Sequence, residues 1–224
     1  LDSFVRTVMA TFGGGIIMPL LLGMRPFIFA NDCAIPCAAF SWWCVNYFPG
    51  DLVYSIMKDK GPARVVCAFF FEVVRGNVIL GWHNAAFNVI GQGPQWKPDY
   101  YPVPIVGPIA IGTIAGSMGA YLPFDKGLSP IAGSVPWATQ GAFLSTVFYF
   151  LNVHDPTWKA WLAGMGVLPT TAMVHTTVIL FLTSTVCMQE AYFGANFNPF
   201  GPVHYVLYKV FLIPPPNGGK VKRN

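Results

Sequence analysis

Six stretches of this 224-residue sequence, 7–24, 33–57, 63–90, 100–124, 130–152 and 161–188, are apolar and nearly free of charge at the length of a bilayer crossing. A crossing helix needs about 20 such residues. Inside hydrocarbon every backbone N–H and C=O must bond within the protein, which leaves helices or a closed barrel. The runs are continuous rather than alternating with period two, which disfavours a barrel. The expected fold is all-α and polytopic, with one transmembrane domain over 1–213 and a polar tail, PPPNGGKVKRN, over 214–224. Composition agrees, because only 10% of residues are charged, against roughly 25% in soluble domains. The apolar patch at 203–213 is too short to span and carries Lys209, so it reads as an interfacial or docking segment.

Orientation follows from the lysines and arginines between spans. One side collects Arg6, Lys58, Lys60, Arg64, Lys126, Lys209, Lys220, Lys222 and Arg223; the other collects Arg25, Lys97 and Lys159. The richer side is expected to be cytosolic, or matrix in a mitochondrial membrane, and to hold the C-terminus. The basic residues are scattered singly, so the net charge of +4 reads as topology and not as nucleic-acid binding. No basic segment followed by a small-residue cleavage site opens the sequence, so no cleavable signal peptide is expected.

An internal repeat organises the spans. GIIMPLLLG at 15–23 and GAYLPFDKG at 119–127 share the frame Gly-x-x-x-Pro-x-x-x-Gly at an offset of 104 residues (119 − 15). The same offset carries Asp51 onto Asp155. The copies fall in the first and fourth spans, and an odd separation inverts them across the membrane. Inverted repeats with Gly/Pro-broken helices are an architecture of transport paths. Gly13, Gly14 and Gly15 sit mid-span, and Gly112, Gly116 and Gly119 recur at helical spacing. Pro19 and Pro123 each remove one helix hydrogen bond and are expected to free the carbonyls of Gly15 and Gly119. Two readings stay open: a bent conduit offering carbonyl oxygens to a cation, or close helix packing alone.

Two ionisable residues stand inside the third span, in FFFEVVRGN at 69–77. An intramembrane charge costs a few kcal/mol on insertion scales. Glu72 and Arg75 lie three apart, on one helix face, and can pair. Arg75, with Lys60 and Arg64, is expected to address an anionic lipid headgroup; the alternative is a self-satisfied pair that fixes helix register. A further polar group, His83-Asn84, follows two turns later. Asp51 and Asp155 are candidates for a cation-attracting pore mouth or for helix caps. Cys33, Cys37, Cys44, Cys67 and Cys187 read as free thiols, and His83, His154, His175 and His204 are too dispersed for a metal motif. No nucleophile elbow, phosphate loop or paired catalytic carboxylates occur, so an enzyme is not expected.

WWCVNYFPGDLVYS at 42–55 followed by ARVVCAFFFEVVRGN resembles the trimeric intracellular cation channels. Pro49, Asp51, Leu52 and Tyr54 match that family's Tyr/Phe-x-x-Pro-x-Asp-Leu-x-Tyr pattern. Glu72, Val73 and Arg75 match its Lys-Glu-Val-x-Arg motif. FGGGIIMPLLLG with Pro26 and GTIAGSMG resemble its two Gly-rich helices. The resemblance covers roughly 7–188. It implies two inverted three-helix repeats plus one helix, with the family's first helix expected upstream of Leu1. It implies a homotrimer with a pore in each protomer, conducting K⁺ across endoplasmic or sarcoplasmic reticulum. The only bound species it implies are K⁺ and phosphoinositide or another anionic lipid near Glu72 and Arg75. Two positions depart from the pattern: Phe71 stands for the motif lysine and Ala115 for a pore-lining lysine. The alternative is a non-conducting structural subunit of a larger membrane complex, with partner subunits docked on its aromatic surface.

Overall fold

Backbone groups facing hydrocarbon must be satisfied internally, and every regular element among the described residues is helical. The computed structural model describes residues 2–58, 61–92, 101–121, 135–194, 197–199 and 201. Lys60, Pro123, much of the second repeat frame, the 203–213 patch and the tail lie outside the described residues.

The helices are α1 (Asp2–Leu21), α2 (Ala34–Tyr47), α3 (Leu52–Lys58), α4 (Pro62–Gly91), α5 (Val106–Tyr121), α6 (Trp137–Val153), α7 (Pro156–Gly164) and α8 (Thr171–Met188). A single turn, Phe27–Ala30, lies between α1 and α2, and a π-turn, Gln189–Phe193, extends α8. Three of these are long and apolar enough to cross a membrane: Asp2–Leu21, Pro62–Gly91 and Thr171–Phe193. Among the described residues, two of the six apolar stretches are interrupted. The 33–57 stretch is two helices, α2 and α3, parted at Pro49–Asp51, where Gly50 (φ 74°) and Asp51 (φ 52°) are left-handed. The 161–188 stretch is also broken. Helix α7 closes on Gly166 (φ 76°), with Gly166 N–H bonded to Ala163 O and Val167 N–H to Leu162 O, before α8 starts at Thr171. Glycine lacks the Cβ that penalises this conformation and so ends the helix.

The repeat survives in the element order. Helix α7 starts at Pro156 and α3 at Leu52, 104 residues apart (156 − 52), and α1 and α5 are the helices that carry the two Gly-rich stretches. Contacts fix the directions. Gly14 abuts Ala115 and Gly119 abuts Ala10, so α1 and α5 are antiparallel. Arg64 meets Glu190 and Gly76 meets Ile179, so α4 and α8 are antiparallel. Asn84 meets Tyr149 and Arg75 meets Ala138, so α4 and α6 are parallel. Helices α1, α4 and α6 thus run one way and α5 and α8 the other, as alternate crossings require.

Helix α4 is the axis of the bundle. Its 30 residues extend about 45 Å at 1.5 Å per residue. One core packs Ile79 and Leu80 with Ala142, Tyr149, Val174, Val178 and Leu182; the other packs Ala86 with Met18, Ile111 and Ala115. The surface is turned inside out relative to a soluble protein. On α4, Phe70, Phe71 and Val74 are exposed while Glu72 and Arg75 are buried. Apolar side chains on the outside face lipid at no cost, and polar groups are gathered within.

Candidate functional site

The two Gly-rich helices form the first part of the site. Gly13, Gly14, Gly112 and Gly116 are buried, Gly15 is half-buried and Gly119 is exposed. A Cβ on Gly14 would lie 2.5 Å from the Ala115 carbonyl oxygen, and one on Gly119 would lie 3.1 Å from the Ala10 oxygen. The α1 and α5 backbones are therefore in direct contact. Gly112 is held against Thr146 and the Ile79 carbonyl, and Gly116 against Ile79 and Ala142. Small residues at these positions let α1, α4, α5 and α6 approach closely. The expected break at Pro19 lies later. Helix α1 is continuous from Asp2 to Leu21, with Pro19 buried in its last turn. The chain leaves the helix at Gly23 (φ 68°), where Met24 N–H bonds to Pro19 O at 2.7 Å and Gly23 N–H to Leu20 O. Proline's missing donor disturbs only the turn it occupies, and glycine makes the stop.

Beside this seam the interior is polar. Thr113 Oγ1 and Thr146 Oγ1 are 3.2 Å apart, bridging α5 and α6, and Ser117 donates to the Thr113 carbonyl. Tyr121 and Thr139 hydroxyls meet at 2.7 Å one turn further along. Ser145 Oγ is buried with no protein partner. Toward the other end, Asn84 Nδ2 donates to Tyr149 Oη at 3.0 Å, and Asn84 Oδ1 lies 2.9 Å from His154 Nε2. His83 is fully buried in van der Waals reach of Gly112; neither ring nitrogen completes a hydrogen bond, although the Pro108 carbonyl lies beside it. Hydroxyl, carboxamide and carbonyl oxygens in an apolar shell are the ligands that replace a cation's water.

The charges of α4 are each paired. Arg75 Nε lies 3.0 Å from Glu72 Oε2, with both side chains more than nine-tenths buried, and its guanidinium approaches the Ala138 carbonyl. Arg64 forms a two-point pair with Glu190, at 2.7 and 3.4 Å, joining the start of α4 to the π-turn after α8. Of the expected headgroup residues, Arg64 and Arg75 stand apart, and Lys60 lies outside the described residues. Arg75 is eleven residues beyond Arg64 on one straight helix, or about 16 Å deeper, and it faces inward. Asp155 is a helix cap: its Oδ1 accepts from Trp158 N–H at 2.8 Å at the start of α7. Asp51 is exposed at the α2–α3 break.

A family model described as TRIC channel matches residues 1–126, more than half of the sequence. The chain belongs to the TRIC channel family. It is 29% identical over 163 residues, 56% of each chain, to the trimeric intracellular cation channel type B of Xenopus tropicalis. It is 29% identical over 161 residues, 55% of each chain, to the type B-B channel of Xenopus laevis. The chain thus spans about half the length of the curated relatives it matches. A solved structure described as the structural basis for activity of TRIC counter-ion channels in calcium release superposes with a TM-score of 0.63 at 23% identity, over 85% of this chain and 79% of that one. That likeness concerns the fold.

The TRIC family is one of channels and not of enzymes, as the sequence led us to expect, and it is a family of membrane proteins. Its two departures are now located. Phe71, where the motif lysine is expected, is exposed on the lipid-facing side of α4, opposite Glu72 and Arg75. Ala115, where a lysine is expected, is buried against Gly14. What sequence reasoning missed is the Asn84–Tyr149–His154 network. His83-Asn84 was visible as a polar pair, but its partners lie 65 and 70 residues away.

Proposed function

We propose that this protein is a cation channel of an intracellular membrane, with K⁺ as the ion and one path in each protomer of a homotrimer. The observation that carries the reading is the antiparallel crossing of α1 and α5, one from each inverted repeat, with glycines at the contact and Thr113, Ser117 and Thr146 beside it. The path runs along that seam, lined by backbone carbonyls and hydroxyls. The membrane is endoplasmic or sarcoplasmic reticulum, with the mitochondrial inner membrane as the alternative, and the C-terminus is on the basic, cytosolic or matrix side. An anionic lipid, phosphoinositide among them, is bound by Arg64 at the start of α4 and by Lys60, which precedes it in sequence. Asp51, exposed at its break, is the carboxylate that draws cations to a mouth.

One observation favours a second reading, a structural subunit without conductance. The seam is closed at Gly14 and Ala115, where backbones touch and no lysine holds them apart. Reconstitution of the full chain into planar bilayers under a K⁺ gradient separates the two. Currents reversing at the K⁺ equilibrium potential support the channel. Silence at all potentials, from protein shown to be folded and trimeric, refutes conduction and leaves the structural subunit.

A further inference from the structure

The junction between α6 and α7 holds a titratable group in an unusual setting. His154 lies in the turn just past Val153, half-buried. Its ring stacks on Phe87 at a centroid distance of 3.8 Å and lies over His83 at 5.5 Å. Its Nε2 reaches Asn84 Oδ1 at 2.9 Å, and Asn84 Nδ2 reaches Tyr149 Oη at 3.0 Å. A neutral network of this kind has two arrangements. In one, His154 Nε2–H donates to Asn84 Oδ1 and Asn84 Nδ2–H donates to Tyr149. In the other the amide is turned over, Nδ2–H donates to a bare Nε2, and Tyr149 donates to Oδ1. An imidazolium, with both nitrogens protonated, permits only the first.

We infer that the α6–α7 junction is a proton-binding site: His154, linked through Asn84 to Tyr149, takes up a proton from the aqueous side it borders, and the charge it gains weakens the docking of α7 on α6. The groups that face it can be named element by element. Helix α4 contributes His83, Asn84 and Phe87. Helix α5 contributes only Pro108 and Gly112 around His83, with no charge. The segment before α5 contributes Tyr101, bonded to Thr157. Helix α6 contributes Tyr149, and α7 contributes Asp155 and Lys159. Asp155 spends one oxygen on the Trp158 N–H, and Lys159 Nζ lies 3.4 Å from the Val153 carbonyl. Ammonium and imidazolium would thus crowd one turn. The site is also one-sided. The repeat places Gly50 at the position of His154 (154 − 104), so the α2–α3 break has no counterpart.

Burial, and then the Lys159 charge, hold His154 below its ordinary value. The unfolded chain titrates near 6.5. Between the folded and unfolded values the unfolded chain binds more protons. Stability is therefore level above about 6.5 and falls as the pH drops through that window. The test is a ring titration of labelled histidines in the detergent-purified full chain, with thermal unfolding measured at about pH 7.5 and about pH 5. We expect one resonance, lost in His154→Gln, with a midpoint below about 6.5 that moves up in Lys159→Gln. We also expect a larger acid-induced drop in Tm for the natural chain than for His154→Gln. A midpoint at or above the free value, one unmoved by Lys159→Gln, or equal drops in Tm would overturn the inference. The site stands or falls whether or not the protein conducts.

Discussion

Substitution of Gly14 by alanine tests whether the α1–α5 seam is held at backbone contact. The new Cβ would fall 2.5 Å from the Ala115 carbonyl oxygen and 3.2 Å from two further backbone atoms. Ordinary contact begins at 3.4 Å, so α1 must withdraw by about 0.9 Å (3.4 − 2.5). A backbone cannot rotate aside as a side chain does. Overpacking of this kind costs typically 1–3 kcal/mol, and a backbone obstacle belongs near about 3 kcal/mol. Alanine returns about 1 kcal/mol through helix propensity. The net loss is about 2 kcal/mol, or about 4–8 °C in Tm for a chain of this size. Gly81→Ala is the matched control: it lies mid-helix in α4 with nothing within 4 Å of its Cβ. It should gain up to about 1 kcal/mol from propensity alone. Thermal unfolding of both variants in one detergent reads the difference. Equal Tm shifts, or a Gly14→Ala protein as stable as the natural one, would refute backbone contact between α1 and α5.

Three further outcomes follow from the charges and the cap. Arg75→Gln leaves Glu72 buried without its partner and should cost about 3–5 kcal/mol, whereas the double variant Glu72→Gln/Arg75→Gln should recover much of that loss in the same unfolding assay. Asp155→Ala removes the α7 cap and should cost about 1 kcal/mol, with no comparable loss for Asp51→Asn, which removes an exposed charge and keeps the left-handed backbone. In a vesicle-sedimentation assay with phosphoinositide-doped liposomes, Arg64→Gln should weaken binding and the double variant Glu72→Gln/Arg75→Gln should not, because Arg75 lies too deep to meet a headgroup.

Much of the architecture was written in the sequence, for reasons that are local. Glu72 and Arg75 are three residues apart, so their pairing is a property of helix geometry. The Gly-Pro frame and Asp51/Asp155 revealed a repeat that the helix starts of α3 and α7 now carry at the same interval. The misplaced boundaries share one cause. Hydropathy windows average over Pro49-Gly50 and over Gly164, Gly166 and Pro169, although these residues end helices whatever their polarity. Asp155 was read evenly as mouth or cap, and its bond to Trp158 N–H settles its local role. The polar network around His154 was illegible because its members come from two helices far apart in the chain, and only tertiary packing brings them within hydrogen-bond reach. The same limit hid the backbone contact of Gly14 with Ala115.

The two ion pairs of α4 differ in one respect that bears on how the chain is made. Glu72 and Arg75 are separated by three positions, Arg64 and Glu190 by 126. The first pair can close inside a single helix as it leaves the translocon, which lowers the insertion penalty before any neighbour has arrived. The second must wait until α8 and the turn that carries Glu190 have been synthesised and threaded. One pair therefore belongs to entry into the bilayer and the other to its completion, so a stalled nascent chain lacking α8 should already contain the former and never the latter.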